Sequence, residues 1–99
     1  MMSRVLLRLY VAGDAPNSVV ARVNLRRLLE PYGPGAYVVE IVDCLTQPLR
    51  ALQEGVLVTP TLVRLEPGPV RTIVGSLSDG ARVLETLGFE LPVRTAEGA

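Results

Sequence analysis

Hydrophobic positions along this chain come in short blocks separated by turn residues. The first block, Val5 to Ala12, holds a single charge, Arg8. A run apolar on both faces predicts a strand in the middle of a sheet that is covered from both sides. Gly13, Asp14 and Pro16 end that strand and open a helix. Asp14 is expected to accept from the free amides of the first turn, where a proline forfeits only a donor that has no intrahelical partner. From about Asn17 to Glu30, Ala21, Leu25, Leu28 and Leu29 recur at helical spacing, with Arg22, Arg26 and Glu30 opposite. Pro31 ends the helix and Gly33-Pro34-Gly35 makes the loop. Ala36 to Asp43 is a second strand, with Tyr37, Val39 and Ile41 on one face and Val38, Glu40 and Val42 on the other. A strand, helix and strand of this length predict a right-handed parallel crossover.

The second half follows a different rhythm. Thr46 is expected to cap a helix with Pro48 in its first turn, and Leu45, Leu49 and Leu52 form its apolar stripe before Gly55. Pro60 cannot sit inside a central strand, so pairing is expected to begin after it and run to about Leu65. Glu66-Pro67-Gly68-Pro69 is a turn, and Val70 to Val74 returns as a strand. Ser78 is expected to cap a short helix that runs through Leu87 and stops at Gly88. The predicted order is β-α-β-α-β-β-α, an α/β, thioredoxin-like arrangement with helices on both faces of a four-stranded mixed sheet. One domain over residues 1–88 is expected, followed by a flexible tail over 89–99 that holds Pro92 and Gly98.

Composition narrows the chemistry. Ten basic residues balance ten acidic ones, so no strong field points to nucleic acid or a membrane. All ten basic residues are arginine, and one phenylalanine and three tyrosines are too few for a base-stacking platform. The chain has no histidine, which removes the usual zinc ligand and proton carrier. No secretory leader or membrane-length apolar window is present, so a cytoplasmic protein is expected. The scaffold suggests a redox test, because thioredoxins place two cysteines around the first turn of this helix. Here Asp14-Ala15-Pro16-Asn17 holds that place, and the lone cysteine, Cys44, ends the second strand. It is read as a structural thiol, Asp43 as a structural or capping carboxylate, and Ser18 and Ser78 as caps. No catalytic, cofactor or metal residue is assigned.

Binding remains. Thr59-Pro60-Thr61 is the strongest local signal, since a proline just before a strand in this architecture often takes the cis form and bares neighbouring backbone groups. Arg64 and Arg71 flank the hairpin turn, where they could meet a partner's carboxylates.

Several uncommon words then occur in a fixed order: Leu9-Tyr-Val-Ala-Gly13, Pro16-Asn-Ser-Val19, Val42-Asp43, Thr59-Pro-Thr-Leu62, Pro69-Val-Arg71 and Gly75-Ser-Leu-Ser78. Together they resemble the KaiB family, from about Val5 to Leu87. The resemblance implies a non-catalytic regulator that binds the ring of a KaiC-type ATPase and modulates its cycle in a circadian clock or a simpler timer. Where KaiA exists, the assembled ring sequesters it. The resemblance also implies a homodimer or homotetramer in the free state, and a metamorphic alternative fold, β-α-β-β-α-α-β. Tyr37, Arg64 and Arg71 match positions of the partner-binding and switching surface, and Pro60, Pro67 and Pro69 match prolines of the segment that rearranges. Val20 and Glu40 stand where clock members tend to carry basic residues, and Gly68 replaces a proline. Two other readings stand beside this one. One is a thioredoxin-like redox or stress protein independent of any clock, which the missing cysteine pair disfavours. The other is the sensor domain of a histidine kinase, which needs a kinase domain on the same chain.

Overall fold

The computed structural model describes residues 4–91. The part of the expected tail that covers residues 92–99 lies outside the described residues. Four strands form one sheet, β1 (Val5–Val11), β2 (Tyr37–Asp43), β3 (Thr61–Glu66) and β4 (Arg71–Val74), in the order β2-β1-β3-β4. Three helices connect or flank them: α1 (Pro16–Leu29), α2 (Pro48–Gln53) and α3 (Gly80–Leu87). β1 runs parallel to β2, with Val5 opposite Tyr37 and Val11 opposite Asp43. It runs antiparallel to β3, with Leu9 opposite Leu62. β3 and β4 make the antiparallel hairpin. The apolar first block is therefore an inner strand, as its composition requires.

The two faces of the sheet are covered unequally. On one face Leu7, Leu9 and Val11 of β1 and Leu62 of β3 pack against Ala21, Leu25 and Leu29 of α1 and Val83 and Leu87 of α3. Gly80 opens α3 against α1, where an added Cβ would lie 2.6 Å from Leu28 Cδ2. The other face has only a small cluster, Tyr10, Val42 and Ala51, with Cys44, Val56 and Val63 beside it. What fills the rest of that face is ionic. Arg8 projects from the middle of β1 with its side chain 19% exposed. Its Nε lies 2.8 Å from Glu40 Oε1 on β2, and its NH1 lies 2.7 Å from Glu54 Oε1 just after α2. Arg50 of α2 reaches the other Glu40 oxygen at 2.8 Å.

This quartet fixes the rotation of α2. Arg50, Ala51 and Glu54 face the sheet, and the leucine stripe faces out. Leu45, Leu49 and Leu52 are 69%, 70% and 68% exposed. Helical periodicity identified the stripe correctly. Its direction was set by the need of a half-buried guanidinium for carboxylates, which an apolar helix face cannot supply.

Local caps also differ from expectation. Ala15 precedes α1 without a side-chain cap, and Asp14 lies out in solvent, 3.9 Å from Arg22 NH2. Ser18 is buried inside the first turn, and its hydroxyl accepts from Ala12 N at 3.0 Å. α2 follows Gln47 with no side-chain cap, while the Thr46 hydroxyl donates to Asp43 O. Asp79, not Ser78, caps α3 by accepting from Arg82 N. Gly88 ends α3 at φ 88°, a left-handed conformation that suits glycine. Beyond it Phe89 packs on the core, its ring centroid 4.6 Å from that of Tyr32.

The unequal faces give a direct contrast. Leu9→Ala removes a side chain with no exposed surface and is expected to cost about 2–5 kcal/mol. Leu49→Ala is expected to change stability by less than about 0.5 kcal/mol, both read as urea unfolding midpoints. The quartet gives a pH dependence. Hydrogen bonds from Arg50 and Arg8 hold the Glu40 carboxyl below its ordinary value of 4.5. A carboxyl depressed on folding adds stability above its unfolded pKa, and that contribution fades as pH falls through the folded value. Between about pH 5 and about pH 3 the chain should lose stability more steeply than a Glu40→Gln variant, measured by urea unfolding at each pH.

Candidate functional site

The turn where this fold places redox chemistry contains none. Residues 12–16 carry the strand into α1 through backbone and hydroxyl contacts, with Gly13 N donating to Asp43 Oδ1 at 3.0 Å. The same Asp43 oxygen accepts from Leu45 N at 2.9 Å, so the carboxylate joins the ends of the two parallel strands to the following loop. That is the structural role expected of it. Cys44 is a free, half-buried thiol. Burial and the neighbouring Asp43 charge push its pKa up, the opposite of what a disulfide-attacking cysteine needs. Among the described residues no group of three or more His, Cys, Asp or Glu side chains could hold a metal ion. No described helix is long and apolar enough to cross a membrane.

What the surface does offer is apolar. Leu45 before α2 and Leu49 and Leu52 on it are followed by the next loop, where Leu57 is 88% and Val58 51% exposed. Large aliphatic side chains exposed on one small helix and its adjoining loops are a feature of surfaces that meet proteins, membranes or ligands. α2 holds this face out because Ala51 is small enough to let the helix approach Tyr10 and Val42, while Arg50 and Glu54 bind the charges of the sheet. Sequence reasoning read the leucines as the apolar stripe of this helix and did not place that stripe on the surface. The signal was present in a second stripe, Arg50, Ala51 and Glu54, complementary to Arg8 and Glu40.

The residues singled out from sequence are dispersed. Tyr37 begins edge strand β2 and is half-buried against the main core. Arg71 begins the opposite edge strand, β4, and is exposed. Two strands separate them, so the fold does not bring them together. Arg64 departs from the exposed position expected of it. It is 7% exposed on the face of β3 covered by α3. Its NH1 donates to Leu87 O at 3.1 Å and its NH2 to Pro69 O at 2.9 Å. A cation at the carbonyl end of a helix is favourable, and in this form the guanidinium ties α3 and the hairpin turn to β3. The absence of a Cβ at Gly88 leaves room for it, since one there would lie 3.1 Å from Arg64 NH1. Pro60, Pro67 and Pro69 all follow cis peptide bonds. Pro60 is buried and its carbonyl accepts from Gly75 N at 3.0 Å, whereas Pro67 and Pro69 are exposed in the turn.

Known proteins agree with this geometry. The N-terminal domain of Synechococcus elongatus SasA superposes with a TM-score of 0.72 at 20% identity, over 95% of this chain and 92% of that one. Mitochondrial thioredoxin 3 of Saccharomyces cerevisiae superposes with a TM-score of 0.69 at 17% identity, over 86% and 77%. These likenesses establish the thioredoxin-like fold. At the level of sequence the chain is 46% identical over 86 residues to the circadian clock oscillator protein KaiB of a Synechococcus species, covering 87% of this chain and 76% of that protein. It is 45% identical to the protein of the same name from Nostoc punctiforme, covering 87% and 81%. The family model described as the KaiB domain matches residues 8–89, nearly all of the described structure. A thioredoxin-like sheet with no cysteine pair at its first turn, matched at this level over this length, places the chain in the KaiB family of circadian clock proteins.

Proposed function

We propose that this chain is a non-catalytic regulator that docks on the ring of a KaiC-type ATPase and modulates its phosphorylation or ATPase cycle. The observation that carries the reading is the outward leucine face of α2, with Leu57 and Val58 beside it. A domain with no reactive group at its redox turn has its surface to act with, and this face displays large exposed aliphatic side chains. Arg71 on β4 and Tyr37 on β2 are proposed as separate partner contacts, at the two edges of the sheet and away from the leucine face. Arg64 contributes from inside, by holding the hairpin turn that presents Arg71. KaiA, in a clock that has one, is the proposed third component. The free chain is proposed to form a homodimer or homotetramer, since exposed leucines invite a second copy when the ring is absent.

The weak attachment of α2 favours one further element of this reading. Ala51 is the only buried residue of that helix, and segments with few buried contacts open at the lowest free energy. A second packing of the latter half, β-α-β-β-α-α-β, is therefore proposed as a state the chain exchanges with. Amide NMR of the free protein tests it. A single peak set at every temperature, unchanged on addition of KaiC, counts against the exchange.

Docking is tested by size-exclusion of the protein mixed with a KaiC-type ring in ATP or ADP. Co-elution is expected, and Leu49→Asp should weaken it by about tenfold or more, because a charge placed in an apolar contact must be desolvated. Arg71→Ala should weaken it less, as expected for an exposed charge away from the apolar contact. Normal co-elution of the Leu49→Asp protein would move the docking surface elsewhere. Insulin reduction by the purified chain would instead favour the redox reading.

A further inference from the structure

On the opposite side of the sheet from α2, a cleft of about 400 Å³ lies between α1 and edge strand β2. Its walls are sharply divided. Leu29 of α1 and Val39 and Ile41 of β2 make an apolar floor, and Arg22, Arg26 and Tyr37 contribute polar groups. No acidic side chain lines it. Arg22 and Arg26 are one helical turn apart and so share a face of α1.

Neither guanidinium is neutralised within the cleft. Arg22 NH2 donates to Gly13 O at 2.6 Å and stands 3.9 Å from the solvent-exposed Asp14. Arg22 Nε is buried without an acceptor. Among the described residues Arg26 has no acidic partner, and the Tyr37 hydroxyl has no hydrogen-bond partner. A buried donor left without an acceptor is costly, and native structures rarely keep one without a reason.

We propose that this cleft binds a small carboxylic acid carrying an apolar chain or ring. The volume lies in the range of small-molecule sites, which are mostly apolar with a few polar groups that fix orientation. Two arginines and a phenol select an anion, and the planar fork of Arg26 suits a carboxylate in particular. The floor selects an apolar body over a bare inorganic ion. A modest swing of the Arg22 fork toward the ligand would also give its Nε–H an acceptor. The cleft and the α2 leucine face lie on opposite sides of the sheet, and Tyr37 is the one cleft residue that the docking reading also uses.

Octanoate is the probe, with 1-octanol and inorganic phosphate as controls, followed through the methyl groups of Leu29, Val39 and Ile41 by NMR. Saturable shifts confined to those methyls are expected with octanoate. Arg26→Gln, an exposed position whose loss leaves the core intact, should weaken binding by about tenfold or more. Leu49→Asp, on the other side of the sheet, should leave it unchanged. Shifts that fail to saturate, that 1-octanol or phosphate reproduces at the same concentration, that map to α2, or that persist unaltered in the Arg26→Gln protein would overturn the proposal.

Discussion

A single guanidinium in the middle of the sheet decides the form of this molecule. Arg8 sits on an inner strand, flanked by chains on both edges, where a charge must be paired or pay the cost of desolvation. Glu40 lies opposite it in the parallel register of β1 and β2, and Glu54 comes from the end of α2. Arg50 closes the set by reaching back to Glu40. Pairs of this kind add little net stability when half exposed to water. Their effect is geometric. A helix that delivers Arg50 and Glu54 to the sheet turns Leu49 and Leu52 away from it.

The consequence is a domain with two unlike sides. One face of the sheet is covered by α1 and α3 with a close-packed aliphatic core, and Arg64 secures α3 there through the carbonyl of Leu87. The other is covered thinly by a six-residue helix that buries one alanine and stands on ion pairs. The first side gives the fold its permanence. The second gives it an apolar exterior at low cost in core stability, because the leucines on display were never part of the core.

The same division explains how a scaffold shared with thioredoxins serves a clock family. In a disulfide reductase the turn after β1 holds a thiolate at the start of a helix. Here the turn is occupied by ordinary structural contacts, Ser18 to Ala12 and Asp43 to Gly13, and burial and the carboxylate beside it push the pKa of the one thiol up. What persists is the sheet and its order of strands. What differs is the turn, which lacks the cysteine pair, and the surface, which displays the α2 leucines.

The linear pattern of residues was sufficient for the sheet, the element order and the main core. Val5 to Ala12 could only be an inner strand, Ala21, Leu25 and Leu29 could only face it, and the motifs from Leu9 to Ser78 announced the family. These are local or periodic properties, and local sequence carries them. Three matters were decided by the tertiary structure alone. The direction of the α2 stripe depended on Arg8 and Glu40, which are more than ten positions from Leu52 in the chain but directly beneath the helix in space. The burial of Arg64 depended on where the end of α3 came to rest. The cleft of Arg22, Arg26 and Tyr37 exists because a helix and an edge strand were brought side by side. A period in the sequence says that a helix has two faces. Which of them turns inward is settled by what waits on the sheet below.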